Sequence, residues 1–166
     1  MNCVNDAPVA NNDIRTATGT EDTLLTIFVT SNDTDVDNAI ASITGLTQPS
    51  TGGTLSITLG VNVLYTPTAN FCTSTPLTFT YRAVDASSSQ SNIATGSFIV
   101  NCVNDAPVAN NDSNTTSRNT NVTTFVLAND TDLDHALTAL SVTGITSITG
   151  GTASIVGTGV LFTPTA

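Results

Sequence analysis

The chain has no tryptophan, no lysine, one glutamate, one histidine and two tyrosines in 166 residues. The absence of lysine excludes an internal Lys–Asn isopeptide cross-link. The lone histidine, His135, leaves no histidine-based zinc site. No G-x-S-x-G element or Gly-rich phosphate loop is present, so no enzyme class is indicated. Exposed aromatics for stacking on sugars are scarce. No apolar run reaches the 18 residues of a membrane span, which excludes direct membrane insertion by a helix. Basic residues are the rarest charged class: three arginines stand against thirteen acids, a net charge of −10. Such a surface repels nucleic acid and anionic lipid, and neither is expected as a partner.

What is present is repetition. NCVNDAPVANND occupies residues 2 to 13 and returns unchanged at 101 to 112. NDTDVDNAI (32 to 40) pairs with NDTDLDHAL (129 to 137), and LYTPTA (64 to 69) with LFTPTA (161 to 166). The period is about 100 residues, enough for a unit to bury a modest core of its own. The expected layout is a linker from a preceding repeat (1–8), a complete repeat (9–103), a linker (104–108) and a second, incomplete repeat (109–166).

Helix signals are nearly absent. Short runs rich in Thr, Val, Ile and Phe alternate with Gly, Pro, Asn or Asp every eight to twelve residues, the pattern of an all-β domain. In the first unit strands are expected near 10–18 (A), 23–29 (B), 40–47 (C), 54–59 (D), 61–66 (E), 77–84 (F) and 93–102 (G). LTFTYRAV is the clearest: Leu77, Phe79, Tyr81 and Ala83 share one face, and Thr78, Thr80 and Arg82 the other. Seven such strands make tandem immunoglobulin-like antiparallel β-sandwiches the expected architecture. Tyr65 and Tyr81 are then core residues. The second unit stops before strands F and G and is expected to leave an open sheet edge. The expected reason is that the sequence is a fragment of a longer polymer; the alternative is self-association or strand complementation, marked by a foreign strand beside 122–128.

Twelve of the thirteen acids are Asp, most of them near Asn or another Asp. In an alternating sandwich the B–C and F–G loops share the pole where a linker enters, while the A–B and E–F loops share the pole where the next one leaves. Asn5, Asp6, Asp33, Asp35 and Asp37 then belong to the entry pole of unit 1. Around the second linker, Glu21, Asp22, Asn104, Asp105, Asp130, Asp132 and Asp134 are expected to converge. Calcium takes six to eight oxygen ligands and suits such loops. The alternative is that Asn and Asp only form Asx-turns. An EF-hand is excluded, because the loop has neither its Gly at position six nor its distal Glu. Asp85, opening the F–G loop, reads equally as a ligand or a turn residue.

VNDAP, TEDT, NDTDVD, YTPTANF and the terminal Asp of TYRAVD together resemble the tandem cadherin-like repeats of large bacterial surface adhesins. VNDAP also resembles the calcium-binding interdomain linker of cadherins. The resemblance implies a rod of similar domains, rigidified by calcium at the junctions, that holds an adhesive tip away from a cell. It assigns the linker oxygens to Asn104 and Asp105, the upstream acid to Glu21 and the loop acids to Asp130 and Asp132. In unit 2, Arg118 and Asn119 replace Glu21 and Asp22, which weakens any site beyond it. The alternative function is a glycan- or protein-binding adhesive module.

Cys72 precedes strand F and Cys102 ends strand G, positions that adjacent antiparallel strands bring to one pole. A Cys72–Cys102 disulfide is the natural pairing, with Cys3 the corresponding cysteine of a preceding unit; the alternative is three free thiols in a reducing compartment. The cysteines, the poverty in Lys and Glu and the Thr/Ser/Asn-rich surface fit an extracellular or cell-surface protein. Met1 has no signal-like segment behind it.

Overall fold

The structure, a computed structural model, describes residues 4–165, apart from the side chains of Arg15 and Thr16. Met1 and Cys3 lie outside the described residues. The chain divides into two compact units, Met1–Val103 and Asn104–Ala166.

Unit 1 contains all seven expected strands: β1 (Asp13–Thr20), β2 (Leu25–Ile27), β3 (Ile40–Thr44), β4 (Gly53–Thr58), β5 (Asn62–Pro67), β6 (Thr73–Asp85) and β7 (Ala94–Asn101). They form a four-stranded sheet, β1-β7-β6-β3, and a three-stranded sheet, β2-β5-β4. Alternation decides which side chains face inward: along β6, Leu77, Phe79, Tyr81 and Ala83 are buried. They meet Ile27, Leu55, Val63 and Tyr65 of the second sheet in one hydrophobic core. The Tyr65 and Phe98 rings bridge the layers with centroids 4.6 Å apart. Each such large side chain, fully buried, contributes on the order of 1.5–3 kcal/mol. Gly96 is needed where it is, because a Cβ there would lie 2.2 Å from the Phe79 ring.

The pairing departs from a purely antiparallel sandwich at one place. Strand β1 runs parallel to β7, with Ala17 opposite Phe98 and Thr20 opposite Asn101. The outer side of β7 is thus covered by the chain's own first strand, which forms the edge of the sheet. Cys72 and Cys102 are disulfide-bonded, with Cα atoms 4.9 Å apart. The bond fastens the start of β6 to the end of β7, as the topology requires.

Unit 2 contains β8 (Val122–Thr124), β9 (Gly151–Val156) and β10 (Gly159–Pro164), paired in the order β8-β10-β9. This is the counterpart of β2-β5-β4. Residues 109–117 and 140–149, the counterparts of strands A and C, form no strand. The reason is hydrogen bonding: in unit 1, β1 pairs with β7 and β3 with β6. Without those partners a backbone has no ladder to join. Strand β8 is an edge, but so is β2 in the complete unit.

Candidate functional site

The candidate site of each unit grows out of the repeated segment. In unit 1, Val9 and Thr34 exchange backbone hydrogen bonds of 2.7 and 3.0 Å, which seat the incoming chain on the B–C loop. The Asn11 N–H then donates to Asp33 Oδ1 at 2.8 Å, and its amide donates to the Asn32 carbonyl at 2.7 Å. The Asp6 N–H donates to Asp37 Oδ2 at 2.8 Å. Asp35 turns the loop itself, its Oδ1 accepting from the N–H groups of Asp37 (2.8 Å) and Asn38 (2.7 Å). Asn5 closes the pole: its amide donates to Asp85 Oδ2 (2.7 Å) and Ser89 Oγ (2.9 Å), and its Oδ1 accepts from the Asn38 amide.

Asp85 therefore belongs to this pole, where sequence left it between ligand and turn. It performs the turn role as well, since its Oδ1 accepts the Ser89 N–H at 2.7 Å. The Asn5 amide, followed by the serine N–H groups of the loop, holds its carboxyl below the usual range despite burial. It is ionised at neutral pH.

The acids of the alternating triplet do not play one role. Asp35 folds the loop and Asp37 holds the linker, while Asp33 faces the first strand and the core. Both Asp33 oxygens lie 3.2 Å from the Tyr81 hydroxyl, which also reaches Asp13 Oδ2 at 2.9 Å and the Val29 carbonyl at 2.7 Å. A phenol has one proton to donate, so these acceptors share it. Burial raises the carboxyl of Asp13 to about 6 and also pushes that of Asp33 up, and the two acids beside the phenol add to burial in raising Tyr81. Sequence reading missed this hub. It places Tyr81 in the core by alternation, but nothing in a strand pattern says where a hydroxyl ends.

Unit 2 repeats the linker bonds. The Asp105 N–H donates to Asp134 Oδ2 at 2.5 Å, and the Asn110 N–H to Asp130 Oδ1 at 2.8 Å. Asp132 Oδ1 accepts from the N–H groups of Asp134 (2.9 Å) and His135 (2.8 Å), with the His135 ring 3.3 Å away. Burial raises the Asp132 carboxyl, but the two N–H donors and the His135 ring outweigh it and leave it below the ordinary value. Asp132, Asp134 and His135 offer ligand atoms within 4.8 Å of one another. Asn104 donates to the Asp105 carbonyl at 2.8 Å, as Asn5 does to Asp6 at 3.0 Å.

At the opposite pole of unit 1, Glu21 is buried and its carboxylate accepts the Val103 N–H at 2.5 Å. Asp22 is in the left-handed region (φ 58°), and its Oδ1 accepts the Asn70 N–H at 2.9 Å. Asn119, its counterpart, has φ 59°. Asp and Asn tolerate this conformation better than other non-glycine residues, which gives that position a turn requirement of its own.

One atom tests whether calcium fits. Asp35 Oδ2 is buried without a hydrogen-bond partner, at the pole where Asn5, Asp6, Asp37 and Asp85 gather. A buried carboxylate oxygen left bare is costly. A hard cation is a partner that such an oxygen accepts, while among the described residues no three carboxylates of unit 1 bring ligand atoms within 4.8 Å of one another.

Tyr65 and Tyr81, the two candidates for sugar stacking, are both fully buried. Among the described residues the exposed Phe and Tyr side chains are Phe28 and Phe125, at equivalent positions in the two units and not around Tyr65. No described helix is long and apolar enough to cross a membrane.

Comparison with curated proteins and with solved structures gives no match. The family model described as Bacterial Ig domain matches residues 5–99 and then 104–166, nearly the whole chain. Two packed sheets in unit 1, a repeated sheet in unit 2 and this tandem match agree: the chain belongs to the bacterial Ig domain family.

Proposed function

We propose that these units are extension repeats of a secreted or surface-anchored bacterial adhesin, with calcium bound where each linker enters its unit. In unit 1 the ligands are drawn from Asn5, Asp6, Asp35, Asp37 and Asp85. In unit 2 they are drawn from Asn104, Asp105, Asp132 and Asp134. Asp33 and Asp130 support the loops from the strand side, and Glu21 and Asp22 order the exit of unit 1. A cation that ties linker oxygens to loop oxygens removes freedom from the linker, which is what a stalk needs. Its neighbours are other repeats of the same polypeptide.

The observation that carries this reading is the bare, buried Asp35 Oδ2 at the pole where Asn5, Asp37 and Asp85 meet. Calorimetric titration and thermal unfolding, with calcium and with chelator, test it. At free calcium a hundredfold above Kd the stabilisation is about 2.7 kcal/mol. Asp35→Asn should abolish the unit 1 binding event while leaving that of unit 2. An absence of binding heat together with an unchanged melting curve removes calcium from the account.

A further inference from the structure

Strand β4 is one edge of its sheet in unit 1, and β9 holds the same place in unit 2, in the orders β2-β5-β4 and β8-β10-β9. The edge belongs to the repeat itself: in unit 1, β6 and β7 pair in the other sheet, and β4 is still an edge beside them. The two edges differ in one respect. The Leu55 N–H donates to Gln48 Oε1 at 2.7 Å, and the Gln48 amide donates to the Leu55 carbonyl at 2.9 Å. A side-chain amide thus takes the place of a neighbouring strand at the middle of β4. The same bonds show that the Leu55 backbone groups point away from β5.

Leu55 is opposite Tyr65, and its counterpart Ala153 is opposite Phe162. The Ala153 N–H and carbonyl therefore point outward as well, and so do those of Gly151 and Ile155, two residues to either side. The segment in the position of the Gln48 guard, 145–149 (ITSIT), is one residue shorter than LTQPST at 46–51 and has no side-chain amide. Among the described residues no hydrogen bond from outside the sheet reaches Gly151–Val156. Edges are ordinarily blunted by a charge, a proline or a bulge. Strand β9 has no charged residue, no proline and no shift in its register with β10.

We propose that β9 is a self-association edge whose occupant is β9 of a second copy of this chain, paired antiparallel about a two-fold axis at Ala153. Charge favours a second copy. A chain of net charge −10 repels itself, yet residues 136–166 have no charged side chain, so two copies meet there without like charges in contact. The edge is also self-complementary: each outward residue offers one donor and one acceptor, and the axis sets Ala153 against Ala153 and Gly151 against Ile155. Ile155, 42% exposed, then covers the bare Gly151 of the other copy. A pair of such short strands is small beside the roughly 1,200–2,000 Å² that stable complexes bury, so the dimer is weak and forms at high local concentration.

Sedimentation equilibrium and amide NMR on the full chain, followed to about 1 mM, test this. The expected result is a monomer–dimer equilibrium with resonance changes concentrated in 151–156. A mixed-isotope sample should show a contact between the Hα of Thr152 in one copy and that of Ser154 in the other, the close non-hydrogen-bonded pair of this register. Ser154→Lys places a like charge on each side of the axis, and Ala153→Pro removes the central donor. Each should weaken association at least about tenfold while the β8-β10 resonances stay in place. A chain that stays monomeric to about 1 mM, shifts concentrated outside 151–156, or unchanged association of Ser154→Lys overturns the proposal.

Discussion

Residues 5–13 and 104–112 are identical in sequence and make the same bonds to their B–C loops. Val9 and Val108 exchange backbone hydrogen bonds with Thr34 and Thr131, Asn11 and Asn110 donate to Asp33 and Asp130, and Asp6 and Asp105 donate to Asp37 and Asp134. Yet the last residue of the segment differs in environment. Asp13 is buried against Tyr81, while Asp112 is exposed. The bonds to the B–C loop are local, so both copies form them. Burial of the final Asp needs strand β6, which unit 1 alone contains among the described residues. A segment repeated without change is thus two structures, a loop clasp that its own unit always completes and a core contact that depends on strands far along the chain.

The sharpest way to break this difference is to loosen β6 and β7. Replacing Cys72 and Cys102 with serine opens a loop of 30 residues in sequence. In the chain-entropy model this costs about 3.5 kcal/mol. Denaturant unfolding should show the loss in unit 1 only, with the β8-β10-β9 resonances unmoved. Tyr81→Phe makes unit 1 resemble unit 2 at one atom. It leaves Asp13 and Asp33 without their shared donor and should cost about 2 kcal/mol. The carboxyl of Asp13 should rise further, measurable by side-chain NMR titration. Gly96→Ala forces a Cβ against the Phe79 ring and should cost about 1–3 kcal/mol in thermal unfolding. A smaller loss would show that the ring can shift.

The pH prediction is the most discriminating. Asp13 rises from 3.8 to about 6 on folding, so the folded state holds its proton where the unfolded state has released it. Its contribution is full below 3.8 and is lost as pH rises to about 6. Asp85, held low, has the opposite sign: its contribution is present above 3.8 and is lost as pH falls below it. Stability of unit 1 measured by urea unfolding should therefore decline across the window above 3.8 and level off beyond about 6. Asp13→Asn should flatten that decline.

Much of this was legible in the sequence. LTFTYRAV announces a half-buried strand, and the structure buries the four residues that alternation selects. The Cys72–Cys102 bond follows once F and G are adjacent, and unit 1 shows it. The candidate site was legible as composition, for NDTDVD and VNDAP do meet, but not as a division of labour. The acids Asp33, Asp35 and Asp37 are alike in sequence and separate in the fold, because successive loop residues point to different neighbours. Asp85 could not be assigned from a loop with no acidic neighbours. Its place depends on Asn5, eighty residues earlier.

By itself the sequence determined the strands, the turns between them and the clasp between linker and B–C loop. These depend on periodicity, on Pro, Gly and Asx chemistry, and on contacts that recur wherever the same letters recur. Only the tertiary structure decided the parallel pairing of β1 with β7 and the meeting of Asp13 and Asp33 at one hydroxyl. Each of these depends on which distant strand occupies the neighbouring position. A strand's pattern specifies that it has a buried face and two unpaired edges, and only the assembled sheet supplies the partners that fill them.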